Sequence, residues 1–142
     1  MPGRDYMLAL SDEKSVREFS SRLLDLVGVF QAELQRLSVI DSSFPVSGYG
    51  VLMEVYGLRT RANILLHDAG SHIVDSLGFS QSDLLSLFDR IFRAIPFATN
   101  LRGAASLVLS VAIFTVSLGE GKARVVNFLY KELCDEVAQW EK

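Results

Sequence analysis

Residues 103–119 read GAASLVLSVAIFTVSLG, 17 positions without a charged side chain, bounded by Arg102 and Glu120. A membrane-crossing helix needs about 20 apolar residues, and ~17 is the lower edge. The run lies inside the chain between segments of amphipathic pattern, so it reads as a buried central helix. It starts at Thr99 or Asn100 and runs to Gly119. Small residues (Gly103, Ala104, Ala105, Ser106, Ser110) fill its first half and let neighbouring backbones approach closely. A helix that is apolar all round must be covered on every side, and that requirement organises the rest of the chain.

The flanking segments each show one apolar stripe. Upstream, Ser80 is placed to cap a helix, with Asp83 three residues on. Leu84, Leu85, Phe88, Ile91, Phe92 and Ile95 form its stripe, and Pro96 ends it. Residues 51–77 are helical in pattern, through Leu52, Val55, Leu58, Ala62, Leu65, Ala69, Ile73 and Leu77, with Gly57 and Gly70 as breaks or close contacts. Residues 38–50 (SVIDSSFPVSGYG) are rich in Ser and Gly, hold Pro45, and read as a loop. The first helix is expected to start at a Ser11 cap with Asp12 and Glu13 in its first turn. It carries Val16, Phe19, Leu23, Leu26, Phe30, Leu34 and Leu37, and Gly28 is expected to bend or split it. After Gly119 and Gly121 a last helix shows Val126, Leu129, Leu133, Val137 and Trp140. No strand alternation, repeat or second domain is visible. The expectation is one all-α domain over 1–142 with about six helices. A central hydrophobic helix at about 103–118 is surrounded by amphipathic ones, unlike an ordinary four-helix bundle.

Composition narrows the function classes. The 142 residues are 49% hydrophobic and 22% charged, which excludes a disordered chain. Ten Gly and three Pro exclude collagen-like and low-complexity architectures. A single cysteine, Cys134, excludes an internal disulfide framework and a cysteine zinc site; it reads as a buried thiol. Net charge −3 and a pI of about 5.3 supply no basic field for nucleic acid. A mean hydropathy of +0.27 implies either an unusually rich core or apolar surface kept for a partner. Residues 1–10 carry Arg4 and Asp5 and no long apolar run, so no secretory leader is expected. The polar C-terminal segment CDEVAQWEK argues against a tail anchor. His67 and His72 are five apart and do not share a helical face, so no metal pair is expected, and no phosphate-binding loop calls for a cofactor.

Two short segments, taken with this layout, resemble the Bcl-2 family of apoptosis regulators. Residues 66–73 (LHDAGSHI) are similar to the family's third homology motif, through Leu66, Ala69, Gly70 and Ile73; Ser71 stands where the family has Asp. Ile91, Phe92 and Arg93, followed by Asn100, Leu101, Arg102 and Gly103, resemble its first homology motif. Leu101 stands in place of Trp, Gly and Arg are exchanged, and Pro96 lies among a few extra residues. Trp140 is a weak echo of the tryptophan in the second motif. The chain looks most like the divergent homologues of large DNA viruses, iridoviruses among them.

The resemblance implies a soluble, pro-survival binding module, not an enzyme. It would hold the amphipathic helix of pro-apoptotic Bcl-2 family proteins in a hydrophobic groove and so block mitochondrial cell death. The implied groove is Ile73, Leu77, Leu84, Leu85, Phe88, Ile91 and Phe92, with Asn100 and Leu107 beside it. Arg102 would pair with the ligand's aspartate, and Gly103 would admit the ligand helix against the central helix. The implied location is the cytosol (the host's, for a viral protein), with peripheral contact at mitochondria and no stable membrane anchor. An empty apolar groove also makes a homodimer an expectation.

An enzyme reading is the alternative. Arg61 and His67, with five residues between, resemble the Arg-x(4–6)-His motif of the all-helical HEPN ribonucleases. Ala62 stands where those proteins usually carry a polar residue, and the acidic pI is unfavourable for RNA.

Overall fold

The computed structural model describes residues 7–142. They form α1 (Glu13–Ile40), α2 (Phe44–His67), α3 (Gln81–Ala94), α4 (Leu101–Glu120) and α5 (Ala123–Trp140), with 3-10 turns at Ala69–His72 and Ile95–Phe97. Among the described residues no strand forms, and one isolated bridge joins Leu8 to Ser80. The chain is an all-α bundle built round one apolar helix, α4, and the described residues form five α-helices rather than about six. Of the stretch read as lacking a leader, residues 1–6 lie outside the described residues.

Helix starts follow the oxygens available to free N–H groups. α1 is capped by Asp12 rather than Ser11. Asp12 Oδ1 accepts from the Ser15 N–H at 2.8 Å, and Ser15 Oγ accepts from the Asp12 N–H at 3.1 Å, a reciprocal box. Ser80 Oγ accepts from the Asp83 N–H at 2.9 Å to start α3, and Asn100 Oδ1 accepts from the Gly103 N–H at 2.8 Å to start α4. Gly121, at φ 67°, closes α4 in the left-handed conformation. Gly28 does not interrupt α1, whose 28 residues are continuous. The buried row through Phe19, Leu23, Leu26, Phe30, Leu34 and Leu37 outweighs the ~1 kcal/mol that one helical Gly costs.

The loop expected over 38–50 shrinks to residues 41–43. Asp41 makes the corner tight. Its Oδ1 accepts from Ser43 N–H (2.9 Å) and Ser43 O–H (2.6 Å), and its Oδ2 accepts from Leu101 N–H (2.7 Å). One carboxylate thus joins the end of α1, the start of α2 and the start of α4. The Leu101 bond, then those from Ser43, hold this carboxyl below the ordinary range. Pro45 sits in the first turn of α2, where a missing N–H costs nothing. A Cβ on Gly48 would stand 2.6 Å from the Phe44 ring, so this glycine serves close packing inside a helix, not a loop.

α2 stops at His67, well short of Leu77. The carbonyl of Asp68 accepts from Ser71 N–H at 3.1 Å and lies 2.9 Å from His72 Nδ1, which closes the 3-10 turn. The chain then runs extended, with Val74 N–H donating to Leu10 O at 2.9 Å.

α2 lies along α1, α4 packs against α2 on one side and α5 on the other, and α3 packs on α1 and α5. Phe114 of α4 is the hub of the core. Its ring centroid is 6.1 Å from Phe88, 6.4 Å from Phe19 and Tyr130, and 6.5 Å from Phe79. α4 is nevertheless not covered on every side, because Leu109, Ile113 and Val116 are 40%, 55% and 41% exposed.

Tyr130 stacks on Phe79 at 3.7 Å, and burial, with Cys134 beside it, pushes its hydroxyl well above the ordinary tyrosine value. The neutral ring is therefore favoured in the folded state. Its contribution is complete below the unfolded value of about 10 and is lost as pH rises through the folded value. Urea midpoints should fall above pH about 10 in the wild type and fall less in Tyr130→Phe. Equal alkaline losses in both proteins would mean that Tyr130 does not set the alkaline stability.

Candidate functional site

α4 runs beside α2 in the same direction. At one end Ser43, Ser47 and Val51 of the α2 side line a depression with Leu101, Arg102, Ala105, Ser106 and Leu109. At the other end Arg61, Ile64 and Leu65 border Thr115 and Gly119. Between them Glu54 faces Leu109, Ala112, Ile113 and Val116. Together these make a shallow trough, roomiest at the Arg102 end, where its volume is about 490 Å³. On the other flank of α4, Ser106 and Ser110 both donate to the Glu136 carboxylate of α5, Ser106 at 2.8 Å. The open face of α4 is thus an apolar strip with Arg102 at one end and Glu120 at the other.

The strip's periodicity explains its position. An α-helix repeats every 3.6 residues, so residues 102, 106, 109, 113, 116 and 120 share one face. Exposed Arg102, Ser106 and Glu120 share it with the half-open Leu109, Ile113 and Val116. Arg102 and Glu120 form no ion pair with a described residue.

The residues implied by the family resemblance do not line one groove. Leu77, Leu84, Phe88, Ile91 and Leu107 are buried in the main core. Phe88, for example, is closed over by Phe19 of α1, with ring centroids 5.0 Å apart. Leu85 is half-buried beside the polar α1–α3 cleft, with Glu18, Arg22 and Asp89. Phe92 is exposed on α3, and Ile73 is exposed just after the 3-10 turn. Asn100 is engaged as the α4 cap. Gly103 faces α5, where a Cβ would lie 3.9 Å from the Trp140 ring. Of the whole set, only Arg102 borders the trough. Leu109, Ile113, Val116 and Glu120 were not among the expected site residues. Their signal was present as the three–four spacing between Arg102 and Glu120, with a charge at each end.

The alternative pair does not converge. Arg61 and His67 are six residues apart on α2, which separates them by about 120° around the axis. Cys134 is half-buried in α5, and burial pushes its thiol up, so it is a weak nucleophile. No group of three or more metal-ligating side chains gathers among the described residues. Leu101–Glu120 is long and apolar enough to cross a membrane, but 56% of its most apolar window is buried inside the bundle. Compared with known proteins, the chain matches no family model, no curated protein and no solved structure.

Proposed function

We propose that the chain is a helix-binding regulator of cell death of the Bcl-2 type, acting in the cytosol by holding the amphipathic helix of a pro-apoptotic partner. The observation that carries this reading is the open apolar strip on α4, flanked by α2 and ended by Arg102. The trough beside α4 replaces the α3 stripe as the seat of the ligand, because Leu84, Phe88, Ile91 and Ile95 of that stripe are core. A ligand helix with apolar residues at three–four spacing lays them against Leu109, Ile113 and Val116, and its aspartate reaches Arg102. Three or four such side chains gain about 1.5–3 kcal/mol each on full burial. After ordering costs that corresponds to micromolar to nanomolar affinity.

Calorimetric titration against a panel of pro-apoptotic helix peptides tests the reading. Sub-micromolar binding to at least one peptide is expected. Arg102→Ala should weaken it about tenfold or more by removing one partner of a desolvated ion pair. Ile113→Glu should abolish it with the helical circular dichroism unchanged. A folded protein that binds none of the panel would overturn the reading.

A further inference from the structure

The open stripe of α4 is its own complement when reversed. Turned about its midpoint at Val111, it exchanges Arg102 with Glu120, Ser106 with Val116, and Leu109 with Ile113. The 18 steps from Arg102 to Glu120 are five full turns at about 3.6 residues each, so the two charges point the same way from opposite ends. The residues flanking the stripe are small: Ala105 and Ala112 towards α2, Ser110 and Ser117 away from it. They let a second helix approach closely.

The charges also sit at the wrong ends of their own helix. Arg102 is in the first turn of α4, where the helix end is partly positive. Glu120 is its last residue, where the end is partly negative. Neither has an ion-pair partner among the described residues. Against an antiparallel copy both arrangements reverse. Arg102 then faces the negative end of the opposing helix and its Glu120, while Glu120 faces the positive end and its Arg102.

We infer that a second copy of this chain docks on the open face of α4, antiparallel, about a two-fold axis that crosses between Leu109 and Ile113, level with the buried Val111. The contact is isologous, so each copy contributes the same stripe and the assembly closes at two. Three–four spacing sets the α4 helices at a shallow crossing angle of about 20°. Leu109 of each copy meets Ile113 of the other at the centre, and the two Arg102–Glu120 pairs fix the direction at the ends. The inference rests on this symmetry and not on a role in cell death, although a partner helix held on the same strip would compete with the second copy.

Sedimentation equilibrium of the full chain tests it. The wild type should pass from 15.7 kDa to twice that mass as concentration rises. Arg102→Glu and Glu120→Arg should each raise the dimer dissociation constant about tenfold or more, because each creates two like-charge contacts. The double variant Arg102→Glu/Glu120→Arg should return to within about threefold of wild type, because both pairs re-form with signs exchanged. Ile113→Arg should leave a folded monomer. Three results would each overturn the inference. One is a 15.7 kDa species at all concentrations; another is a dimer indifferent to the charge exchanges; the third is association only with lipid vesicles. A wild-type monomer that binds helix peptides would defeat this inference alone, and a dimer that binds none would defeat only the proposed function.

Discussion

Phe114→Ala is expected to lower unfolding stability by about 3–5 kcal/mol, the cost of emptying an aromatic site in a core that collapses only in part. The site is demanding because four other rings rely on it. Phe19 and Phe88 meet Phe114 from α1 and α3, Phe79 from the segment before α3, and Tyr130 from α5. Four parts of the chain therefore lose contact with α4 at one point, and each edge or tilted ring pair adds about 0.5–1.5 kcal/mol beyond its area. A domain of this kind has about 5–15 kcal/mol in all, so this single change removes a large share. Urea unfolding is the measurement: the midpoint should fall sharply with the slope unchanged. Phe114→Leu, which keeps most of the volume, should cost less than half as much. A loss under about 1.5 kcal/mol for the alanine variant would mean that Phe114 is not the centre of the core.

Gln81→Leu is expected to cost about 2–4 kcal/mol although it swaps one buried side chain for another of similar size. Gln81 is buried at the start of α3. Its Oε1 accepts from Leu10 N–H at 3.0 Å, while its Nε2 donates to Ser15 O at 2.9 Å and to Glu18 at 3.3 Å. Its own N–H donates to Met7 O at 2.9 Å. One amide thus fastens the segment before α1 to the first turns of α1 and α3. Leu10 needs this support because it is held at φ 56°, a conformation that costs a branched side chain about 1–3 kcal/mol. Leucine at 81 leaves the buried Leu10 N–H without an acceptor. Native-state hydrogen exchange should then show the Leu10 amide losing protection, together with a lower urea midpoint. Full protection at Leu10 in the variant would contradict the role given to Gln81.

The sequence made some boundaries plain and concealed others, for physical reasons. Ser80, Pro96, Asn100 and Gly121 mark the ends of α3 and α4 because each has a single local function as cap, stop or left-handed turn. The start of α2 was hidden because Pro45 and Gly48 also belong to the vocabulary of loops. Only the Phe44 ring lying over Gly48, and Asp41 binding Leu101 N–H 60 residues away, turn that stretch into helix. The end of α2 was overrun because apolar spacing continues through Ala69, Ile73 and Leu77 after the helix has stopped.

The site was harder to read for a related reason. Periodicity identifies which face of a helix is apolar, not which neighbour covers it. The α3 stripe is the strongest in the chain, and α1 closes it through Phe19. The α4 run has no polar face at all, so nothing in its apolar content separated the covered Leu107, Val111 and Phe114 from the open Leu109, Ile113 and Val116. Only the terminal charges carried that distinction. Arg102 stands out through its motif, whereas Glu120 marks only the end of a run.

Methyl resonances of leucine, isoleucine and valine, recorded as a pro-apoptotic helix peptide is added, show where a ligand helix sits on the bundle. Leu109, Ile113 and Val116 should shift together and saturably, while Leu84, Leu87 and Ile91 of α3 stay in place. Shifts confined to α3, or no shifts with any peptide of the panel, would contradict a ligand seat on α4.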